Sequence, residues 1–319
     1  MTHLAALARD VREGFSRLPK QIPAQYLYDD LGSALFEAIC ELPWYRITRA
    51  ETALLGACSA QIAARFAEPP FVVELGPGSG DKLLRLAQGF STRPHRAHLH
   101  LIDISQSALA AAQRSLARLS GFTVTVARAT YEEGLGAIAD LRPAGSAMLT
   151  LVLGSNIGNF QRQSAVALLR RIRDAGRPGD RLLLGADLVK PESELALAYD
   201  DPLGVTAAFN RNLLVRLNRE LGATFDLAQF DHHARWNAEQ ERMEMHLASR
   251  CAQRVSIPGA GIEVDFAARE TIWTESSCKY SLHSLGALVA EAGFDLEEQW
   301  LDAEAGFALS LFRARAAIA

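Results

Sequence analysis

The stretch that decides the fold is Phe71-Val72-Val73-Glu74-Leu75-Gly76-Pro77-Gly78-Ser79-Gly80-Asp81-Lys82. An apolar run ends in an acid, glycines alternate at 76, 78 and 80, and Leu83, Leu84, Leu86 and Ala87 follow at helical spacing. This pattern predicts a strand, a tight turn and a helix start. Glycine lets the backbone turn sharply and approach a ligand closely, and a helix N-terminus offers unbonded N–H groups, so the unit suits a nucleotide or nucleoside. Asp103 closes the next apolar run (Leu99, Leu101, Ile102). It lies roughly twenty residues downstream, where dinucleotide-type folds carry the acid that binds ribose hydroxyls.

Downstream, strands at 71–75, 98–102, 122–127, 147–153 and 181–186 alternate with helices at 82–88, 105–118 and 163–175. Alternation at this pitch argues for βαβ units and a parallel sheet. Gly176 is placed to cap the third helix, with Pro178-Gly179 turning the chain. Upstream, Leu4, Leu7, Val11 and Phe15 predict an amphipathic helix over 4–17, broken by Pro19 and Pro23. Ser33 is placed to cap a second helix, and a third runs to about residue 66. The segment before Phe71 is long enough for a lid or part of a second domain.

From about residue 190 the rhythm changes. A helix over 207–221, with Gly222 after it, leads to strands at 242–250 and 262–277, with Pro258-Gly259-Ala260-Gly261 as the turn between them. This block reads as an insertion. A helix over 282–292 and a strand pair at 295–301 and 306–313 return to the parent fold.

Composition bounds the function. The chain has 319 residues, 49% hydrophobic and 22% charged, the balance of a globular enzyme of one large or two interleaved domains. A formal net charge of −4 gives no basic surface for nucleic acid. No apolar stretch approaches the roughly 20 residues of a membrane span, and the first residues carry no secretory apolar region. Cys40, Cys58, Cys251 and Cys278 are scattered without metal-type spacing and read as reduced thiols of a cytoplasmic protein. A monomer is expected.

The glycine spacing is not G-x-G-x-x-G, the pattern that a nicotinamide-dependent oxidoreductase predicts. Alone, it also fits an ordinary glycine-rich turn between strand and helix. The tighter alternation behind Glu74 resembles the first motif of class I methyltransferases that bind S-adenosylmethionine.

Longer stretches narrow the resemblance. Tyr28-Asp29 with Gly32-Ser33 and Phe36, Leu42-Pro43-x-Tyr45, Thr48-Arg49-Ala50-Glu51 and Leu153-Gly154-Ser155-Asn156-Ile157-Gly158-Asn159 form one group. Asp187-Leu188-Val189-Lys190, Ala198-Tyr199-Asp200-Asp201, Gly204-Val205-Thr206, Phe209-Asn210-Arg211-Asn212 and Asn218-Arg219-Glu220-Leu221 form another. Ala234-Arg235-Trp236-Asn237, Glu244-Met245 and Thr274-Glu275-x-Ser277-Cys278-Lys279 complete the set. Across nearly the whole chain these resemble the histidine-specific Nα-methyltransferases of ergothioneine biosynthesis.

The resemblance implies transfer of three methyl groups from S-adenosylmethionine to the α-amino nitrogen of L-histidine, giving hercynine, with S-adenosylhomocysteine as product. It implies an α/β fold: a class I (Rossmann-like) methyltransferase domain over 52–189 and 280–319. A second, α+β substrate-binding domain is formed by the N-terminal region and the insertion, over 1–51 and 190–279. Two other readings stay open: methylation of another amino acid or an indole amine, and a non-catalytic cofactor-binding regulatory module.

The resemblance also implies roles. Tyr45 and Tyr199 take the substrate carboxylate, as neutral donors that do not repel a sulfonium. Asn159 accepts from the amine and aims its lone pair, with Tyr28 beside it, and these two are the expected catalytic residues. Tyr28 and Phe36 offer aromatic faces to a quaternary ammonium product. Glu275 and Ser277, two apart and so on one face of a strand, can accept from and donate to the imidazole nitrogens, with Met245 and Thr206 completing the pocket. Gly76, Gly78, Lys82, Asp103, Thr130 and Tyr131 are the expected cofactor residues, Lys82 reaching the methionine carboxylate. The family carries an acid where this chain has Thr130, which leaves the adenine amino contact open. No general base is assigned. Asp231-His232-His233 with His246 fits no standard metal spacing, and no metal is expected.

Overall fold

The computed structural model describes residues 3–90 and 97–316. In chain order the elements begin with α1 (His3–Phe15), β1 (Lys20–Gln21), α2 (Asp30–Glu41) and α3 (Ile47–Ala64). Next come β2 (Phe71–Leu75), α4 (Asp81–Gln88), β3 (Ala97–Asp103), α5 (Gln106–Leu116), β4 (Phe122–Arg128), α6 (Tyr131–Gly136) and α7 (Ile138–Leu141). They continue through β5 (Met148–Val152), α8 (Arg162–Ala175), β6 (Arg181–Asp187), α9 (Glu192–Tyr199) and α10 (Val205–Leu221). Then follow β7 (Phe230–Asn237), β8 (Arg242–Ser249), β9 (Gln253–Ile257), β10 (Ile262–Phe266) and β11 (Thr271–Cys278). The last three are α11 (Leu282–Glu291), β12 (Phe294–Asp302) and β13 (Phe307–Ala314). Two compact units result: residues 1–45 with 190–277, and residues 46–189 with 278–319.

The unit of 46–189 and 278–319 is built on a seven-stranded sheet of order β12-β13-β6-β5-β2-β3-β4. The pairs β4–β3, β3–β2, β2–β5 and β5–β6 are parallel, and β13 runs antiparallel between β6 and β12. Central strands read as unbroken apolar runs because both faces are covered. Val73, Leu75, Val152, Leu182 and Leu184 pack with residues of α8 and α11, whereas Val72, Leu99, Leu101, Leu151 and Leu183 pack with residues of α3, α4 and α5. Strand alternation thus feeds two cores from one sheet. The end of the sheet away from the glycine turn is tied by a buried ion pair. Asp180 accepts from both terminal nitrogens of Arg142 (2.6 and 2.8 Å), from Met148 N (2.8 Å) and from Arg177 N (2.6 Å).

The unit of 1–45 and 190–277 holds a four-stranded sheet, β1-β11-β8-β7, and the hairpin β9–β10. β7 and β8 pair antiparallel, and β1 joins β11 in parallel, Lys20 opposite Ile272. Helix α10 carries its buried face (Phe209, Asn210, Leu213, Leu217) through this unit.

Several expected elements differ. The cap of α2 is Asp29, whose carboxylate accepts from Gly32 N at 2.8 Å; Ser33 lies inside the helix. Asp29 is equally able to cap and sits one turn earlier. The strand expected at 262–277 is two strands, β10 and β11. The turn between them is closed by the Glu270 carboxylate accepting from Ala267 N at 2.8 Å, with Arg269 at φ +68°. The link expected between 242–250 and 262–277 joins β9 to β10, and β7 and β9 were not expected. Among the described residues no helix is long and apolar enough to cross a membrane.

Asp180→Ala removes the only acid paired with buried Arg142 among the described residues and strands that cation. Breaking a buried pair on one side costs on the order of 3–5 kcal/mol. The urea midpoint should fall correspondingly with an unchanged slope; an unchanged midpoint would refute the role given to this pair.

Candidate active site

Strand order reverses between β2 and β5, so the carboxyl ends of these strands form the switch point where ligands of open α/β sheets bind. The glycine turn lies there. Gly76, Gly78 and Gly80 have φ of +72°, +54° and +80°, a region that L side chains enter at a cost. At Gly76 space forbids one as well: a Cβ would stand 2.5 Å from Tyr131 Oη and 2.8 Å from Asn156 Nδ2. The turn is therefore a tight cradle bounded by α6 and by the segment after β5.

Asp103 ends β3, and its Oδ1 accepts from Ser105 N at 2.8 Å. Burial pushes its carboxyl above the usual range, against the opposing pull of the Ser105 and Ile104 N–H groups. Thr130 caps α6 in a capping box: its hydroxyl accepts from Glu133 N, and the Glu133 carboxylate accepts from Thr130 N at 3.1 Å. Tyr131 follows, tilted against Phe160 (6.4 Å), its hydroxyl pushed to high pKa by burial.

Lys82, in the first turn of α4, is ion-paired with Glu51 of α3 at 2.7 Å. Glu51 is 0% exposed, and the same oxygen accepts from Gly154 N at 2.7 Å. Its other oxygen occupies the room left by Gly185, where a Cβ would stand only 1.9 Å away. Glu74, at the end of β2, is also fully buried. Burial pushes its carboxyl up to about 8; Glu51 and Asp103 add to the rise and Lys82 opposes it. Glu51 Oε1 and Glu74 Oε2 have no hydrogen-bond partner among the described residues.

After β5 the chain passes Gly154 (φ +74°) and Ser155 (φ +57°) into a single 3-10 turn, Asn156–Asn159. Ser155 Oγ accepts from Asp187 N at 2.9 Å and so fixes this turn to β6. Asn159 is the last residue of the turn and is exposed.

The other expected residues lie in the unit of 1–45 and 190–277. Tyr28 Oη donates to Glu275 Oε1 at 3.2 Å, across 247 positions of sequence. The Tyr28 ring stands edge-on to Phe36 (5.6 Å) and Phe209 (5.4 Å), and Phe36 stands edge-on to Tyr45 (6.2 Å). Tyr28, Phe36, Tyr45 and Glu275 thus form one continuous aromatic and acidic cluster. Glu275 and Ser277 are both buried on β11, two residues apart on one strand face. Met245 lies on the neighbouring β8, its carbonyl accepting from Thr274 Oγ1 at 2.9 Å. Tyr199 ends α9, and Thr206 sits in the first turn of α10, its N–H donating to Asp201 Oδ2 at 2.7 Å. Burial pushes the Asp201 carboxyl up, but the Thr206, Val205 and Leu203 donors outweigh it and hold its pKa low.

Residues without a sequence-derived role also stand out. Glu51 belongs to a quoted motif, and its signal was the one acid in α3, buried among apolar residues. Phe209 closes the aromatic cluster, and Asn156 bounds the glycine cradle. Asp231, His232, His233 and His246 do not converge: among the described residues no group of three or more His, Cys, Asp or Glu side chains is arranged to hold a metal.

The sheet order, the glycine turn at its switch point and the acid ending the next strand define an α/β enzyme of the nucleoside-cofactor class. A family model described as "histidine-specific methyltransferase, SAM-dependent" matches residues 7–314, and the chain belongs to that family. It is 41% identical over 307 residues to a histidine N-alpha-methyltransferase of Mycolicibacterium smegmatis, covering 96% of this chain and 94% of that one. Its identity to the Mycobacterium tuberculosis protein of the same name is 41% over 310 residues, 97% and 95% of the two chains. The ergothioneine biosynthesis protein 1 of Neurospora crassa is 25% identical over 299 residues, 88% of this chain and 32% of that protein.

The cradle fits the cofactor of this family: a Cβ at Gly76 would fill it, and Gly76 N donates to the Ile102 carbonyl at 2.9 Å, one residue before Asp103. Buried Glu74 also makes a pH prediction. Its folded pKa of about 8 lies above its unfolded value, so the folded state binds the extra proton. Its contribution to stability is complete below the unfolded carboxyl pKa and is lost as pH rises toward about 8. Urea midpoints of Glu74→Gln should therefore fall less between pH 5 and pH 8.5 than those of the wild type; parallel curves would contradict the buried proton.

Proposed function

We propose that this chain transfers three methyl groups from S-adenosylmethionine to the α-amino nitrogen of L-histidine, giving hercynine, the first step of ergothioneine biosynthesis. The observation that carries the substrate assignment is Glu275, a buried carboxylate held by Tyr28 and sharing a strand face with Ser277. A carboxylate accepting from one imidazole nitrogen and a hydroxyl donating to the other match a neutral imidazole. Histidine N-alpha-methyltransferase relatives spanning nearly the whole chain support the same substrate.

The cofactor supplies an electrophilic methyl group on a sulfonium, with S-adenosylhomocysteine left after each transfer. The protein's task is to orient a neutral amine in line with it, and orientation alone contributes up to about 7–11 kcal/mol. We assign the carboxylate to the Tyr45 and Tyr199 hydroxyls, which bind an anion without placing a cation near the sulfonium. Asn159 accepts an N–H of the amine and aims its lone pair. Tyr28 holds Glu275 and, with Phe36, faces the growing ammonium. Met245 and Thr206 complete the side-chain pocket. Gly76 and Gly78 admit the methionine end, Lys82 takes its carboxylate, Asp103 the ribose, and Thr130 and Tyr131 the adenine side. In this reading the unit built on the seven-stranded sheet binds the cofactor and the other unit reads the substrate. The protein acts as a cytoplasmic monomer on a small molecule, with neither nucleic acid nor membrane as partner.

The test is mass spectrometry of reactions holding S-adenosylmethionine and each proteinogenic amino acid in turn. Histidine alone should gain three methyl groups. Methylation of another amine instead would overturn the Glu275 assignment, and cofactor binding without any turnover would overturn catalysis. Glu275→Ala should raise the histidine KM about 10- to 100-fold, the worth of a hydrogen bond to a charged group. Asn159→Ala should act mainly on kcat. Cofactor affinity should stay within about twofold in both, measured by titration.

A further inference from the structure

His232 lies on β7, and the metal reading of its motif leaves it without a role. Its side chain is 2% exposed, and both ring nitrogens are engaged. Nδ1 stands 2.9 Å from Asn210 Nδ2 of α10, and Nε2 stands 2.8 Å from the Tyr199 carbonyl that ends α9. Asn210 Nδ2 also donates to the His246 carbonyl at 3.0 Å. That second contact fixes the amide: turning it over would set oxygen against oxygen. Nδ1 is therefore an acceptor, and Nε2 carries the proton and donates to Tyr199. The acceptor is one of the last carbonyls of a helix, which have no partner within the helix.

We propose that His232, as the neutral Nε2–H tautomer, is a positioning residue that latches the end of α9 and so sets the Tyr199 phenol for a substrate carboxylate. This rests on the carboxylate role of Tyr199 given above. The link after Tyr199 is fixed at its other end by Asp201, whose carboxylate accepts from Leu203, Val205 and Thr206 N–H where α10 begins. The titratable or charged groups facing the ring are Asp200 (Oδ1 at 4.0 Å), Arg211 and His233. Burial, aided by Arg211 and His233, keeps the imidazole neutral against the pull of the Tyr199 carbonyl and Asp200. A second proton would set N–H against the Asn210 amide N–H.

The test compares His232→Leu, which deletes the donor, with His232→Gln, whose amide can donate to Tyr199 and accept from Asn210. Histidine binding is measured by equilibrium titration with S-adenosylhomocysteine present, so turnover is not required. His232→Leu should weaken histidine binding about tenfold or more and leave S-adenosylhomocysteine affinity within about twofold. His232→Gln should recover most of the loss. In a Tyr199→Phe background the His232→Leu effect should largely vanish, because the phenol it positions is gone. Additive losses, a fall in both affinities together, or no effect of His232→Leu would overturn the latch. If the wild type itself binds and methylates no histidine, the functional reading fails instead. The latch is then judged by nitrogen NMR of His232, where a protonated or Nδ1–H ring at neutral pH overturns it.

Discussion

The structure of the unit built on the seven-stranded sheet turns on one buried carboxylate. Glu51 of α3 accepts from Gly154 N after β5, pairs with Lys82 of α4 and rests in the space left by Gly185 on β6. Four elements around the switch point are thereby fixed by one side chain. A fully buried charge is expensive to desolvate, and its attraction to a single cation does not guarantee net stabilisation. Its effect here is geometric: it sets the strand-end loop of β5 against the first turn of the glycine-turn helix. Burial, with Glu51 and Asp103 nearby, pushes the Glu74 carboxyl up to about 8, so Glu51, Glu74 and Asp103 together carry less negative charge near neutral pH than three free carboxylates would.

The unit of 1–45 and 190–277 uses polar contacts for the same purpose in a different way. Asp29 caps α2, accepts from Asn212 of α10 at 2.7 Å and pairs with Arg219 at 2.6 Å, so the helices carrying Phe36 and Phe209 are keyed to one acid. Those hydrogen bonds and Arg219 hold its carboxyl low against the upward push of burial. The aromatic cluster then supplies shape, and Glu275, held by Tyr28, supplies the polar reading. Glu244 of β8, closed by Arg235, Arg242, Asn237 and His246, ties β8 to the edge strand β7.

Much of this was legible in the sequence, for physical reasons. The parallel strands are apolar on both faces and bounded by turn residues, so Phe71–Leu75 could be read to the residue. β7 hid because its Asp231-His232-His233 run is polar; His232 is held by a helix amide and a carbonyl, which no periodicity reveals. The β10–β11 break hid because Arg269, without glycine or proline, adopts positive φ. Glu275 and Ser277 were readable as a pair on one face, but the Tyr28 contact to Glu275 was not, nor was the Glu51–Lys82 pair. Both are long-range matches, and local propensity carries no information about them.

The most direct test of the account is a crystal structure of the protein with S-adenosylhomocysteine and L-histidine. The account predicts the imidazole within hydrogen-bond reach of Glu275 and Ser277, the carboxylate on Tyr45 and Tyr199, and the ribose on Asp103. An imidazole bound away from Glu275, with another group against that carboxylate, would contradict it.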